Sequence, residues 1–117
     1  GRYPLTVVDW QTPAIGGALS DVSYFLGAGL LPEARRASER DLVRGYHEHL
    51  CARGVSGYSF EACWDDYRRF SFSGLLMAVV ASMIVGRTER GDRMFMAMAS
   101  RHAQQVLDRG ALEFLCA

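Results

Sequence analysis

From Phe60 onward, apolar and small residues recur at steps of three and four: Phe60, Cys63, Tyr67, Phe70, Gly74, Met77, Ala81 and Ile84. That spacing puts them on one face of a helix and is incompatible with the alternation of a half-buried strand. The pattern predicts one long helix, or two with a bend near Gly74. Its second half, Leu75 to Val85, is almost uninterruptedly apolar. A helix apolar on nearly every side belongs at the centre of a bundle. The run falls well short of the ~20 residues that cross a bilayer, and Arg68, Arg69 and Arg87 flank it, so a buried helix is expected and no membrane partner.

The rest of the chain reads as further helices around that segment. Pro13, Gly16 and Gly17 mark a turn, after which Ser20 or Asp21 can cap a helix running through Tyr24, Phe25 and Leu26 towards Gly29. Pro32 suits the first turn of the next helix, with Leu42, Val43, Tyr46 and Leu50 on its inner face, Glu33, Arg36, Glu39, Arg40 and Arg44 on its exposed side, and a stop near Gly54. Ser59 is a plausible cap for the helix at Phe60. Thr88 caps a last helix with Phe95, Met98, Ala99, His102 and Val106 facing inward, ended by Gly110.

One segment breaks the helical pattern. Leu5 to Asp9 carries the β-branched run Thr6, Val7 and Val8 and reads as a short buried strand. No later segment looks like its partner, and a lone strand cannot satisfy its own backbone. The expectation is that its sheet lies upstream and that residues 1–117 are the back end of a larger unit. No charged segment leads into an apolar run at the N-terminus, so no signal peptide is expected.

Composition narrows the function classes. The formal net charge is +0, which provides no long-range field for nucleic acid or anionic lipid. All 13 Lys+Arg residues are arginine, and asparagine is absent as well. A phosphate site that depends on lysine therefore cannot be complete here. Cys51, Cys63 and Cys116 show no Cys-x-x-Cys spacing, so neither a disulfide framework nor a thiolate metal site is expected, and a reducing cytoplasm is the simplest setting. No serine sits in a Gly-x-Ser-x-Gly turn and no glycine-rich phosphate loop precedes a helix.

Asp9 is the leading candidate for chemistry. A carboxylate at the end of a buried strand is a rigid, hard oxygen ligand of the kind magnesium needs beside nucleotide phosphates; the alternative is that it caps the turn that follows. Asp21, at a helix start, can equally be a cap. His47, His49 and Cys51 alternate along a helix and point apart, so they cannot converge on one ion. His102, among Phe95, Met98 and Val106, reads as a hydrogen-bonded core histidine. Glu61, Asp65 and Asp66 can form an acidic wall for a cationic substrate, or a solvated face paired with Arg68 and Arg69. Met77, Met83, Met94, Met96 and Met98 can line an adaptable apolar pocket, although core packing is the simpler expectation.

Val7-Val8-Asp9-Trp10-Gln11, the Pro/Gly turn, and Ser20-Asp21-Val22-Ser23-Tyr24-Phe25-Leu26 together resemble the C-lobe of small-molecule kinases of the aminoglycoside phosphotransferase and choline kinase superfamily, especially its ecdysteroid-kinase-like branch. The specific match covers about residues 6 to 26; the segment from Tyr46 to Leu50 also resembles the family's helical subdomain, with which the later expected helices agree in order and length. The resemblance implies a mostly α fold, the helical C-lobe subdomain of a protein-kinase-like domain with one short N-terminal strand. It implies that Asp9 holds the magnesium of Mg-ATP, that Asp21 matches a buried aspartate that supports the catalytic loop by accepting its hydrogen bonds, and that the helical region lines the acceptor pocket. The γ-phosphoryl group would pass to a small-molecule hydroxyl. Trp10 and Gln11 depart from the Phe-Gly of protein kinases. The catalytic His-Gly-Asp loop, its asparagine, the phosphate-binding lysine and the nucleotide-covering loop are missing, so the chain alone is expected to be inactive and to need the N-terminal portion of the same enzyme. The other readings are a self-contained helical binding or dimerisation module, with a homodimer as its partner state, and a degenerate kinase-like scaffold without catalysis.

Overall fold

A computed structural model describes residues 13–115. Five α-helices follow one another: α1 (Leu19–Gly29), α2 (Pro32–Ala52), α3 (Phe60–Arg69), α4 (Ser71–Ile84) and α5 (Glu89–Asp108). A 3-10 helix, Ala111–Leu115, closes the described part. The mostly helical class holds, and no strand occurs among the described residues. The expected strand Leu5 to Asp9 lies outside them.

Local chemistry sets most helix ends. Pro32 occupies the first turn of α2, where its missing N–H costs nothing, and extended Leu31 precedes it. Gly54 takes φ +95° just past α2, and the Val55 amide donates to Leu50 O at 3.1 Å. Ser59 Oγ accepts from the Ala62 amide and Thr88 Oγ1 from the Gly91 amide, so both expected caps form. Gly110, at φ +60°, ends α5. At α1 the cap position falls on Ala18, and no side-chain cap bond is made there.

The apolar core sits among α1, α2 and α3. Leu19, Leu26, Val43, Phe60, Cys63 and Tyr67 form its buried centre, with Val22, Leu30, Tyr46, Tyr58, Trp64 and Phe70 packed around them. Arg40 and Arg44 lie over the Trp64 and Phe60 rings at 4.9 and 4.0 Å, sealing the α2–α3 seam with cation–π contacts.

Three expectations are corrected. The long segment divides at Phe70, which ends α3 and opens α4, four residues before Gly74. There the Ser71 hydroxyl donates to Arg68 O at 2.7 Å, holding the break. Gly74 serves another purpose: a Cβ there would overlap the His102 ring, so glycine is what lets α5 approach α4.

Secondly, α4 is not the centre of the bundle. It buries only Ser71, Gly74 and Ala78, against α1 and α5, and leaves Leu76, Met77, Val79, Val80, Met83 and Ile84 exposed. Small residues make the inner face because helix axes come closest there, and the large ones point away. The methionines follow suit: Met77, Met83, Met94 and Met96 are exposed, not in the core.

Thirdly, Glu39, expected on the solvent side of α2, is 0% exposed, and Arg35 is 1% exposed. Two successive steps of four back from Val43 reach Glu39 and Arg35, which puts both on the inner face.

Candidate functional site

The sequence-predicted site splits into a part the structure describes and a part it does not. Asp9 lies outside the described residues. Asp21 sits in the exposed first turn of α1, where amide groups and the helix dipole favour a negative charge. Among the described residues its carboxylate makes neither a cap bond nor an ion pair. Its charge reaches Tyr46 of α2, whose hydroxyl is held above the ordinary phenol range by burial first, then by Cys63 and Asp21. The resemblance implies a buried aspartate here, whereas Asp21 is exposed and without a side-chain partner among the described residues.

The acidic residues of α3 do not converge. Glu61 is exposed. Asp65 pairs with Arg68 at 3.0 Å, and Asp66 accepts from the Tyr58 hydroxyl at 2.7 Å. Burial and that bond push the Tyr58 hydroxyl well above its usual range. Arg69 turns to the Phe114 ring, 4.8 Å away. His47 Nε2 meets Tyr58 O at 2.8 Å and His49 Nδ1 meets Gly45 O at 2.7 Å, while Cys51 Sγ lies 3.7 Å from His47 Nε2. Among the described residues no three His, Cys, Asp or Glu side chains gather as a metal site would need.

What the sequence reading missed is a buried polar network joining α1, α2, α3 and α5. Arg35 Nη1 donates to both Glu39 oxygens at 2.9 Å, and Nη2 donates to Asp108 at the end of α5. Arg36 Nε reaches the same Asp108 oxygen at 2.7 Å. The Tyr67 hydroxyl donates to Glu39 Oε2 at 2.6 Å and accepts from Gln105 Nε2 at 3.0 Å. Gln105 Nε2 also reaches Ser23 O and Oγ, both at 3.2 Å, while its Oε1 faces His102 Nδ1 at 3.2 Å. The acceptor opposite Nδ1 assigns the proton to that nitrogen. Arg109 Nε lies 3.1 Å from Glu39 Oε1, close enough to pair its charge but off the line of a hydrogen bond.

The shifts follow the geometry. Burial lowers the Arg35 pKa, but Glu39 and Asp108 outweigh it and the guanidinium ends above its ordinary value. Burial likewise raises Asp108, and the bonds from Arg36 and Arg35 bring it below the usual carboxylate range. Burial and the bond to Glu39 hold the Tyr67 hydroxyl well above its usual range. His102 is fully buried, wedged against Gly27 and Gly74 and stacked on Tyr24, with no partner for Nε2 among the described residues. Burial lowers its pKa, the Gln105 bond opposes this, and the Arg35 charge adds to the lowering. Ser23, Glu39, Tyr67, His102 and Gln105 are 0% exposed. Groups so enclosed hold helices in place and cannot meet a substrate.

An open groove of about 450 Å³ runs between α4 and α5. Ala78, Val79, Phe95, Met96 and Ala99 line it, with Ser82 and the Arg87–Asp92 pair at 2.9 Å. Of the methionines considered as pocket lining, only Met96 contributes. No family model, curated protein or solved structure matches the chain.

Proposed function

We propose that the chain is the helical C-terminal part of an ATP-dependent phosphotransferase that transfers the γ-phosphoryl group to a small-molecule hydroxyl. The observation that carries the reading is the state of Asp21: it follows the Val7-Val8-Asp9-Trp10-Gln11 segment by ten residues and offers an exposed carboxylate not consumed by capping. An uncapped, charged acceptor is what a supporting aspartate needs to take hydrogen bonds from a catalytic loop.

In this reading Asp9 contributes the hard oxygen ligand for magnesium, which offsets the charge of the β- and γ-phosphates as the phosphoryl group leaves. Asp21 fixes the loop that orients the acceptor hydroxyl. Glu61, Asp65 and Asp66 flank the acceptor region, where Glu61 is the one left without a tether among the described residues.

The test uses the polypeptide that includes the residues preceding Gly1, with radiolabelled ATP and a panel of aminoglycoside, choline, sugar and sterol acceptors. Asp9→Ala should abolish transfer while the circular dichroism spectrum stays unchanged. Asp21→Ala should lower both turnover and thermal midpoint. Near-normal turnover by Asp9→Ala ends the proposal.

A further inference from the structure

We infer that the outer face of α4 is a self-association surface on which a second copy of this chain docks antiparallel, with Val80 on the two-fold axis. The inference stands apart from the phosphotransferase reading. None of the 14 residues of α4 is charged. Its large side chains nevertheless face water, with Met83 80% and Ile84 76% exposed. Leu76, Met77, Val79, Val80, Met83 and Ile84 together expose on the order of 700 Å², close to the roughly 800 Å² each partner buries in a standard interface. The largest apolar patch of a typical monomer is about 300–600 Å².

The order of these residues selects the occupant. Leu76 and Ile84 lie four residues either side of Val80, and Met77 and Met83 lie three either side. An antiparallel copy therefore sets Leu76 against Ile84, Met77 against Met83 and Val80 against itself, so the face is complementary to its own image. Antiparallel packing also opposes the two helix dipoles. The flexible thioethers of Met77 and Met83 can fill the gaps that a rigid pair would leave.

Charge points the same way. Around the end of α4, Arg87 pairs with Asp92 at 2.9 Å and Arg93 with Glu89 at 2.6 Å, which leaves Arg90 as the exposed charge without an ion pair among the described residues. A strongly acidic or basic partner finds no complementary field on a face without charge, and a membrane-surface helix would carry basic residues along its polar side. A neutral surface identical to itself meets neither objection.

Sedimentation velocity over a concentration series tests this. The chain should sediment as a dimer at about 100 µM, and Val80→Glu, which sets two carboxylates face to face, should weaken association at least ~100-fold. Val80 is about half exposed, so the variant should keep its helical spectrum. Val80→Lys should be monomeric too, and an equimolar mixture of the two variants should recover the dimer, a rescue that requires position 80 to face itself. A monomeric parent chain, a dimer indifferent to Val80→Glu, or failure of the mixture to associate overturns the inference. So does binding of the parent chain to anionic vesicles in place of self-association, or loss of the dimer when the polypeptide preceding Gly1 is present.

Discussion

Replacing Glu39 by glutamine should cost about 3–5 kcal/mol of folding stability, the usual penalty for breaking a buried ion pair and leaving one charge behind. Glu39 is 0% exposed and takes bonds from Arg35 on both oxygens and from Tyr67. Glutamine keeps the shape and one acceptor oxygen. It turns the other oxygen into a donor facing donors, and it leaves Arg35, 1% exposed, with Asp108 as its remaining counter-charge. An independent count agrees: hydrogen bonds to charged groups contribute about 1.5–3 kcal/mol each, and two donors, Arg35 and Tyr67, lose the charged partner.

Against a typical total of about 5–15 kcal/mol, that is a large fraction. Urea unfolding followed by circular dichroism should show it as a midpoint lowered by about 1–5 M, taking a slope of about 1–3 kcal/mol/M. A double-mutant cycle with Arg35→Met should return a coupling energy of about 1–3 kcal/mol, because the two side chains share one network. Glu89→Gln, which removes an exposed pair with Arg93, should leave the midpoint where it was. If Glu39→Gln shifts the midpoint no more than this control, the network does not hold the helices together.

Gly74→Ala should destabilise by about 1–3 kcal/mol despite alanine's better helix propensity, because its Cβ would overlap His102; an unchanged or raised urea midpoint would contradict this. His102 should make stability pH-dependent. Its pKa is lowered on folding from 6.5, so the unfolded chain binds the proton more readily, and the stability held above pH 6.5 is lost as pH falls below it; His102→Phe should flatten thermal midpoints between about pH 5 and 7.

How much of this was legible follows from where each signal lies. The capping hydroxyls of Ser59 and Thr88, the first-turn Pro32 and the terminal Gly110 act within one turn of their own position, and the sequence displays them directly. Arg35 and Asp108 are 73 residues apart and become neighbours only when α2 meets α5. Nothing local announces that pair. Glu39 had a visible clue, four residues before buried Val43 on the same face, but its charge argued for solvent. On α4, composition suggested burial on every side, whereas only Ser71, Gly74 and Ala78 are buried among its residues. The same glycine looked like a bend because helix propensity was the only local consideration, and the His102 ring that needs the space comes 28 residues later. For the candidate site, Asp21 was legible as a residue of a first helical turn, but Ala18, not Ser20 or Asp21, takes the cap position.

These features divide the molecule's energetics in two. The polar network and the α1–α3 core hold one chain together by contacts internal to it, so a change at Glu39 acts equally at every protein concentration. The face of α4 contributes little to the lone chain, because its large side chains stay in water. Whatever covers that face binds the folded state alone and stabilises it by mass action, more strongly as concentration rises. Substitutions at Val80 should therefore act through association and leave the dilute chain's stability almost unchanged. Those at Arg35, Glu39 or Gln105 act on folding first and reach the surface of α4 only by loosening the helices behind it. The network reaches α4 through His102, which is bonded to Gln105 and packs against Gly74.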